Sequence, residues 1–201
     1  MILSRPEVKK AFDVDYYDGS MIHSRFAYKV LRDKVTPAGN IISFVAPATV
    51  ETEYMIDLED VIQQDFIYSE NMVHFCYELP LTNLWGGVAF QRLFNTIMAD
   101  ILGNVIQKPI EVSGDDIFVH DEFVKEGVTL PKGKASVSIV TECRGAILGH
   151  TGINISAGYK APSFAYSTNM TDEQAQQFQQ KCIEAFYQTV HSLFVATTKV
   201  I

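Results

Sequence analysis

Hydrophobic positions along the chain follow two periods. Over residues 88–102, Phe90, Leu93, Phe94, Ile97 and Ile101 recur at helical spacing and predict a long helix with one buried face. Phe178, Cys182, Phe186, Val190 and Leu193 repeat that pattern near the end of the chain, after a Thr171/Gln174 capping box. Gly86-Gly87 marks the start of the first helix and Gly103-Asn104 its end. Residues 41–45 and 72–78 read as buried strands rich in β-favouring side chains. Pro47 interrupts the first, and residues 49–55 resume in extended form. Residues 1–15 read as a short strand or an irregular lead-in. Tyr17-Asp18-Gly19-Ser20 is a turn that feeds a helix carrying Ile22, Phe26 and Val30.

The densest combination of strand pattern and polar groups lies in residues 110–156. Ala135, Val137, Ile139 and Thr141 alternate with Ser136, Ser138 and Val140. In the following strand His150, Gly152 and Asn154 share one face, and Thr151, Ile153 and Ile155 the other. The link Cys143-Arg144-Gly145-Ala146 suits an antiparallel connection, which brings Lys134 near Asn154. The polar residues of these strands are expected to gather on one face. Gly152, lacking a side chain, is expected to let a flat ligand approach the backbone. The fold class that follows is α+β: a mainly antiparallel sheet with packed helices, in one domain spanning 1–201.

Composition narrows the classes. A 201-residue chain that is 47% hydrophobic can bury a core of good size. Its formal charge of −8 argues against broad nucleic-acid binding, which needs clustered Lys and Arg, and leaves room for a small nucleotide. No apolar run is long enough to span a membrane. Residues 1–10 are charged and lack the apolar core of a secretory leader. Cys76, Cys143 and Cys182 are widely spaced, which fits reduced thiols, a cytoplasmic location and no zinc site.

Several residues carry two readings. Asp57-Leu58-Glu59-Asp60 is either a helix N-terminus or a hard-cation site. His74 is either a structural strand residue or a site residue. Arg92 flanks the helical stripe and either binds an anion or faces solvent. Gly86-Gly87 either admits a phosphate or serves as a turn. Lys134 belongs either to the site or to the Lys132-Gly133-Lys134 hairpin turn, and Asp115-Asp116 either to the site or to an Asx turn. Tyr159, Phe164 and Tyr166 either close over a pocket or pin their loop to the core.

Three pieces in order resemble the catalytic core of biotin and lipoate protein ligases, which share a fold with class II aminoacyl-tRNA synthetases. Gly114-Asp115-Asp116-Ile117-Phe118-Val119 resembles the ligases' Pro-Asn-Asp strand start. Gly133-Lys134 with residues 135–142 resembles the strand of their catalytic lysine, and His150-Thr151-Gly152-Ile153-Asn154-Ile155 their Gly-Ile-Asn strand. A match over most of the chain is to an uncharacterised, largely archaeal family, domain of unknown function 366. Tyr17-Asp18-Gly19-Ser20, Met55-Ile56-Asp57-Leu58-Glu59-Asp60, Met72-Val73-His74-Phe75, Gln91-Arg92-Leu93 and Gly152-Ile153-Asn154 carry it. It implies a ligase-like fold and no assigned activity. The ligases' Gly-Arg-Gly-Arg loop corresponds here to the acidic Val50-Glu51-Thr52-Glu53-Tyr54-Met55.

The resemblance implies a nucleotide-dependent ligase or acyltransferase acting on a small carboxylic acid, with ATP and Mg as the candidate cofactors. Lys134 would be the catalytic residue, stabilising charge on the reacting group. Asp116, Ser136, Ser138, His150, Gly152, Asn154 and Arg92 would bind substrate or nucleotide, and no residue is assigned to a resident metal. The competing expectation is a non-catalytic binding protein for a nucleotide-like or acyl metabolite, favoured by the missing Gly-Arg loop. A third is a metal-assisted hydrolase or transferase using Asp57, Glu59, Asp60 and His74. A homodimer through an exposed sheet edge is expected from the fold type.

Overall fold

The computed structural model describes residues 1–200. The chain opens with β1 (Ile2–Leu3), α1 (Arg5–Phe12) and α2 (Ala27–Leu31), followed by β2 (Asn40–Val50), α3 (Leu58–Gln63) and β3 (Ile67–Leu79). The long helix α4 (Leu84–Ile106) leads into β4 (Ile110–Ser113), β5 (Asp116–Val119), β6 (Phe123–Lys125) and β7 (Val128–Leu130). Then come β8 (Gly133–Lys134), β9 (Ser136–Cys143), β10 (Ala146–Ser156) and α5 (Asp172–Thr197). The main sheet has the order β1-β2-β3-β10-β9 and is antiparallel apart from the β1–β2 pair. Strands β4, β5 and β8 form a second antiparallel sheet, and β6 and β7 a hairpin. This is the expected α+β architecture.

Alternation sorts the main sheet into two cores. On one face Val73, Phe75 and Tyr77 of β3 meet Phe94 and Met98 of α4 and Phe178 and Phe186 of α5. On the other, Met72 and Cys76 of β3 and Phe44 of β2 meet Tyr17, Ile22 and Phe26 of the N-terminal segment. Phe90, Phe94, Met98 and Leu102 lie at i, i+4 spacing on α4 and are all buried. Each such side chain contributes about 1.5–3 kcal/mol on burial, against about 1 kcal/mol for a glycine inside a helix. Packing therefore wins, and α4 runs through Gly86, Gly87 and Gly103, from an N-cap at Asn83 to a left-handed C-cap at Gln107. The glycines do not bound the helix. Gly87 is instead where α4 presses on β10, since a Cβ there would lie 2.6 Å from the Ile147 side chain.

Three further expectations change. The lead-in contains a helix, α1, opened by a Ser4/Glu7 capping box with Pro6 in its first turn. Pro47 does not divide the strand: β2 is continuous and takes up the proline as a register shift between Ala46 and Ala48. The helix expected after Ser20 is two short pieces, a single turn at Ser20–Ile22 that buries Ile22 and then α2, which starts after the buried Phe26.

Candidate functional site

Lys134 sits where three pieces of chain meet. Its residue pairs with Phe118 of β5 on one side and bridges Ala165 on the other. Its amide donates to the Phe164 carbonyl at 2.9 Å and its carbonyl accepts from the Tyr166 amide at 2.8 Å. Gly133 makes that crossing possible: a Cβ there would lie 2.6 Å from the Phe123 ring and 2.8 Å from the Tyr166 side chain. The strand is thus fixed on both edges, and Lys134 Nζ lies 2.7 Å from Asp116 Oδ1. Asp116 follows the Gly114-Asp115 turn, where Gly114 has φ +64.

This ion pair borders a cavity of about 660 Å3. Its apolar wall comes from Tyr17, Val50, Ile56, Ile67, Val137 and Ile139. His150 and Asn154 of β10 also line it, with Lys160 and Phe164 from the loop before α5. The rim is acidic. Asp57, Glu59, Asp60 and Asp65 line it beside Asp115 and Asp116, against two lysines, Lys134 and Lys160. Lys134 is committed to Asp116, and Asp115 is held by Arg92 at 2.9 Å. Lys160 lies over the Tyr68 and Tyr159 rings. Burial, then the neighbouring Asp57 and Asp65, raise the Asp60 carboxyl above its usual range, and Lys134 draws it partly back.

Behind the apolar wall two imidazoles are stacked between aromatic rings. The Tyr17 ring lies 3.9 Å from His150 with 12° between planes, and Phe44 lies 4.8 Å from His74. His74 Nδ1 is 3.0 Å from His150 Nε2, and His74 Nε2 is 3.1 Å from the Ala46 carbonyl. Burial pushes His74 down to about 3. Burial and the neighbouring His74 hold His150 well below the usual histidine range.

The structure brings together Lys134, Asp116, Ser136, Ser138, His150 and Asn154 of the expected site residues along one cavity, but the two serine hydroxyls are engaged within the protein, and Arg92 and Gly152 lie apart. The register pairs Thr151 with Ser138 and Ile153 with Ser136, so the serines face α4 and not the His150 side of the sheet. Ser138 Oγ accepts from Gln91 Nε2 and Asn95 Nδ2 at 2.9 and 3.0 Å and donates to Thr151 Oγ1 at 3.0 Å, while Thr151 donates onward to Asn95 Oδ1. Its two lone pairs and its proton are all used within the protein. Ser136 Oγ accepts the Ile117 amide at 2.8 Å and positions β5. The space over Gly152 is filled by the Met72 side chain, so a flat ligand does not reach that backbone. Arg92 lies on α4 behind Asp115, outside the residues that line the cavity.

Asp57 caps α3 by accepting the Glu59 amide at 2.8 Å, the helix-terminus reading of the acidic cluster. Among the described residues, no three His, Cys, Asp or Glu converge to hold a metal ion. Gly86 lines a separate apolar groove between α4 and α5, so the glycine pair is remote from Lys134. Residues missed from sequence are Tyr17 as a stacking partner, Asp65 and Lys160. Tyr17 belongs to the Tyr17-Asp18-Gly19-Ser20 turn, a signal that could have found it; the others reach the cavity from segments that no periodicity places.

The fold has solved counterparts among lipoate protein ligases. Ta0514 from T. acidophilum, a candidate lipoate protein ligase with bound lipoic acid, is 13% identical over 95% of this chain and 85% of that one, at a TM-score of 0.53. The bipartite lipoate protein ligase of Thermoplasma acidophilum is 10% identical over 76% of this chain and 71% of that one, at 0.51. A protein of unknown function from Pyrococcus horikoshi is 24% identical over 92% of each chain, at 0.74. The chain itself belongs to the family described as a domain of unknown function, DUF366, whose model matches residues 8–201. No curated protein matches it. Among the described residues, no helix is long and apolar enough to cross a membrane.

Proposed function

We propose that this cavity binds a small nucleoside-like or acyl metabolite, on a ligase-like fold that lacks the charge needed to hold a triphosphate. The observation that supports this reading is the rim. Among the described residues, Asp57, Glu59, Asp60 and Asp65 form no side-chain ion pair, and the cationic side of the cavity is limited to a paired Lys134 and to Lys160. The segment that resembles the position of the ligases' Gly-Arg-Gly-Arg loop holds Glu51 and Glu53 and supplies no arginine. At an effective dielectric of 20, like charges 4 Å apart repel by about 4 kcal/mol, so bare ATP does not fit the residues present.

A second reading, a nucleotide-dependent ligase or acyltransferase, is favoured by Lys134. It is held rigidly on two strand edges beside Asn154, whose amide donates to Ala135 O at 2.8 Å. There Lys134 would stabilise negative charge developing on a substrate carboxyl.

Thermal-shift titrations of the purified protein separate the two. Nucleosides and neutral acyl amides are expected to raise Tm, and ATP to leave it unmoved with or without magnesium. A ligand at a hundred times its Kd adds about 2.7 kcal/mol, a clear shift. An ATP–magnesium shift that disappears in Lys134→Ala, with pyrophosphate release, would replace the first reading by the second.

A further inference from the structure

One nitrogen in the cavity wall has its chemistry fixed by the protein and is left unused by it. The Ala46 carbonyl can only accept, so His74 Nε2, 3.1 Å away, carries the proton. A neutral ring protonated at Nε2 has a bare Nδ1. That atom lies 3.0 Å from His150 Nε2, which must therefore donate to it. His150 is buried and neutral as well, so its own Nδ1 carries a lone pair.

No group among the described residues donates to that lone pair. The fully buried side-chain polar atoms without a partner, among those residues, are Tyr77 Oη and Asn154 Oδ1. His150 Nδ1 also lacks a partner but is not among them, so it keeps surface open to the cavity that the ring lines. The Tyr17 ring stacked at 3.9 Å stops the imidazole from turning away. His150 Nδ1 is the acceptor on the floor of the cavity, and carboxylates line the rim.

We propose that the cavity selects a nitrogenous ligand, neutral or cationic, that donates an N–H to His150 Nδ1. The inference rests on the cavity being the ligand site and names the chemistry that site reads. A carboxylate or phosphate placed at the same point would face a lone pair from below and Asp60 from the rim. Each bare acceptor left unmatched on binding is a loss that a donor-bearing ligand avoids.

Two measurements test it. Long-range 1H–15N NMR on the labelled protein reports the protonation of every imidazole nitrogen without a variant. Nε2–H tautomers are expected for both His74 and His150 from pH 8 to pH 5.5; a proton on His150 Nδ1 in that range overturns the proposal. The second uses matched probes on the wild-type protein: adenine, cytosine and benzamidine against benzoate and phenylacetate. Donor-bearing probes are expected to bind, to move the His150 Nδ1 resonance and to lose at least tenfold in affinity in His150→Phe. Anionic probes that bind as well or better, or donor probes that leave His150 Nδ1 unmoved, sink this inference while the cavity stands as a ligand site. A panel with no binder of either kind removes that parent reading as well.

Discussion

The Glu78 carboxylate, buried on β3, lies 2.6 Å from Arg25 Nη2 and accepts the Phe26 and Ala27 amides at 3.0 and 3.1 Å. One acid on the central strand thereby fixes the start of α2, and with it the segment that carries Tyr17 and Ile22 over the second core. The two partners are unequal: the Glu78 side chain is 3% exposed and that of Arg25 43%.

That inequality sets the expected costs. Glu78→Ala strips two buried backbone amides of their acceptor and is expected to destabilise by about 3 kcal/mol, at the top of the range for an unmatched buried group. Arg25→Ala leaves the amide bonds in place, and water can enter where the 43% exposed guanidinium stood and solvate the carboxylate. About 1 kcal/mol is expected, as for a pair half in solvent. Urea titration of both variants checks the order; equal losses would mean that the ion pair, and not the amide bonds, holds α2.

The imidazole pair makes stability depend on pH, with a sign that follows from its burial. In the unfolded chain both rings take up protons near 6.5, while folded His74 does so only at about 3 and folded His150 well below the usual range. Between those values the unfolded state binds more protons, so stability falls as pH falls. Each ring removes about 1.4 kcal/mol per pH unit below 6.5. Glu7, Glu111 and Asp121 are held below their ordinary values near 4 and act only at lower pH. Denaturant midpoints from pH 6.5 to 5 are therefore expected to drop steeply, with the slope reduced by about one proton in His74→Gln.

Ser138 separates a structural role from a ligand role. Its hydroxyl joins Gln91 and Asn95 of α4 to Thr151 of β10. Ser138→Ala leaves two amide protons unmatched in a buried place, at an expected cost of about 2 kcal/mol. Binding of any cavity ligand should stay within twofold of wild type, measured by calorimetry at a temperature where both proteins are folded. A large affinity loss without a stability loss would return Ser138 to the site.

The legible parts of this fold were those written in period. The stripes through Phe90 and Phe94 and through Phe178, Cys182 and Phe186, with the alternation in β10, declared the helices and the sheet. The ordered Lys134 and Gly152-Ile153-Asn154 strands declared the ligase-like class. The Cys143–Ala146 link placed Lys134 near Asn154, but which polar side chains share a face was not legible. Whether Ser138 faces His150 or Thr151 depends on which residue of β9 lies opposite, and a one-residue slip exchanges the faces. Gly152 shows the same limit: it reads as an opening in sequence, yet the Met72 side chain occupies the space there. The rim acids arrive from α3 and the loops around it, where caps and turns leave no periodic trace. The Ser4/Glu7 box was in plain sight and marks α1; the other turns depended on tertiary contacts.

Lys134 offers the last test, because it touches both the ion pair and the rim. Among the groups acting on Asp60, burial, Asp57, Asp65 and Glu59 push its carboxyl up and Lys134 alone pulls it down. Lys134→Met keeps the side-chain length and removes the charge, so the Asp60 pKa is expected to rise further. A raised folded value means that the native state holds its proton longer than the unfolded chain does, so stability is lost as pH rises through that window. The variant should therefore lose more stability than wild type as pH rises above the ordinary carboxyl range near 4, a direction opposite to that of the imidazole pair. Carboxyl 13C titration of Asp60 reads the shift directly. An unchanged Asp60 would mean that Lys134 is screened by Asp116, 2.7 Å away, and that the rim does not sense it.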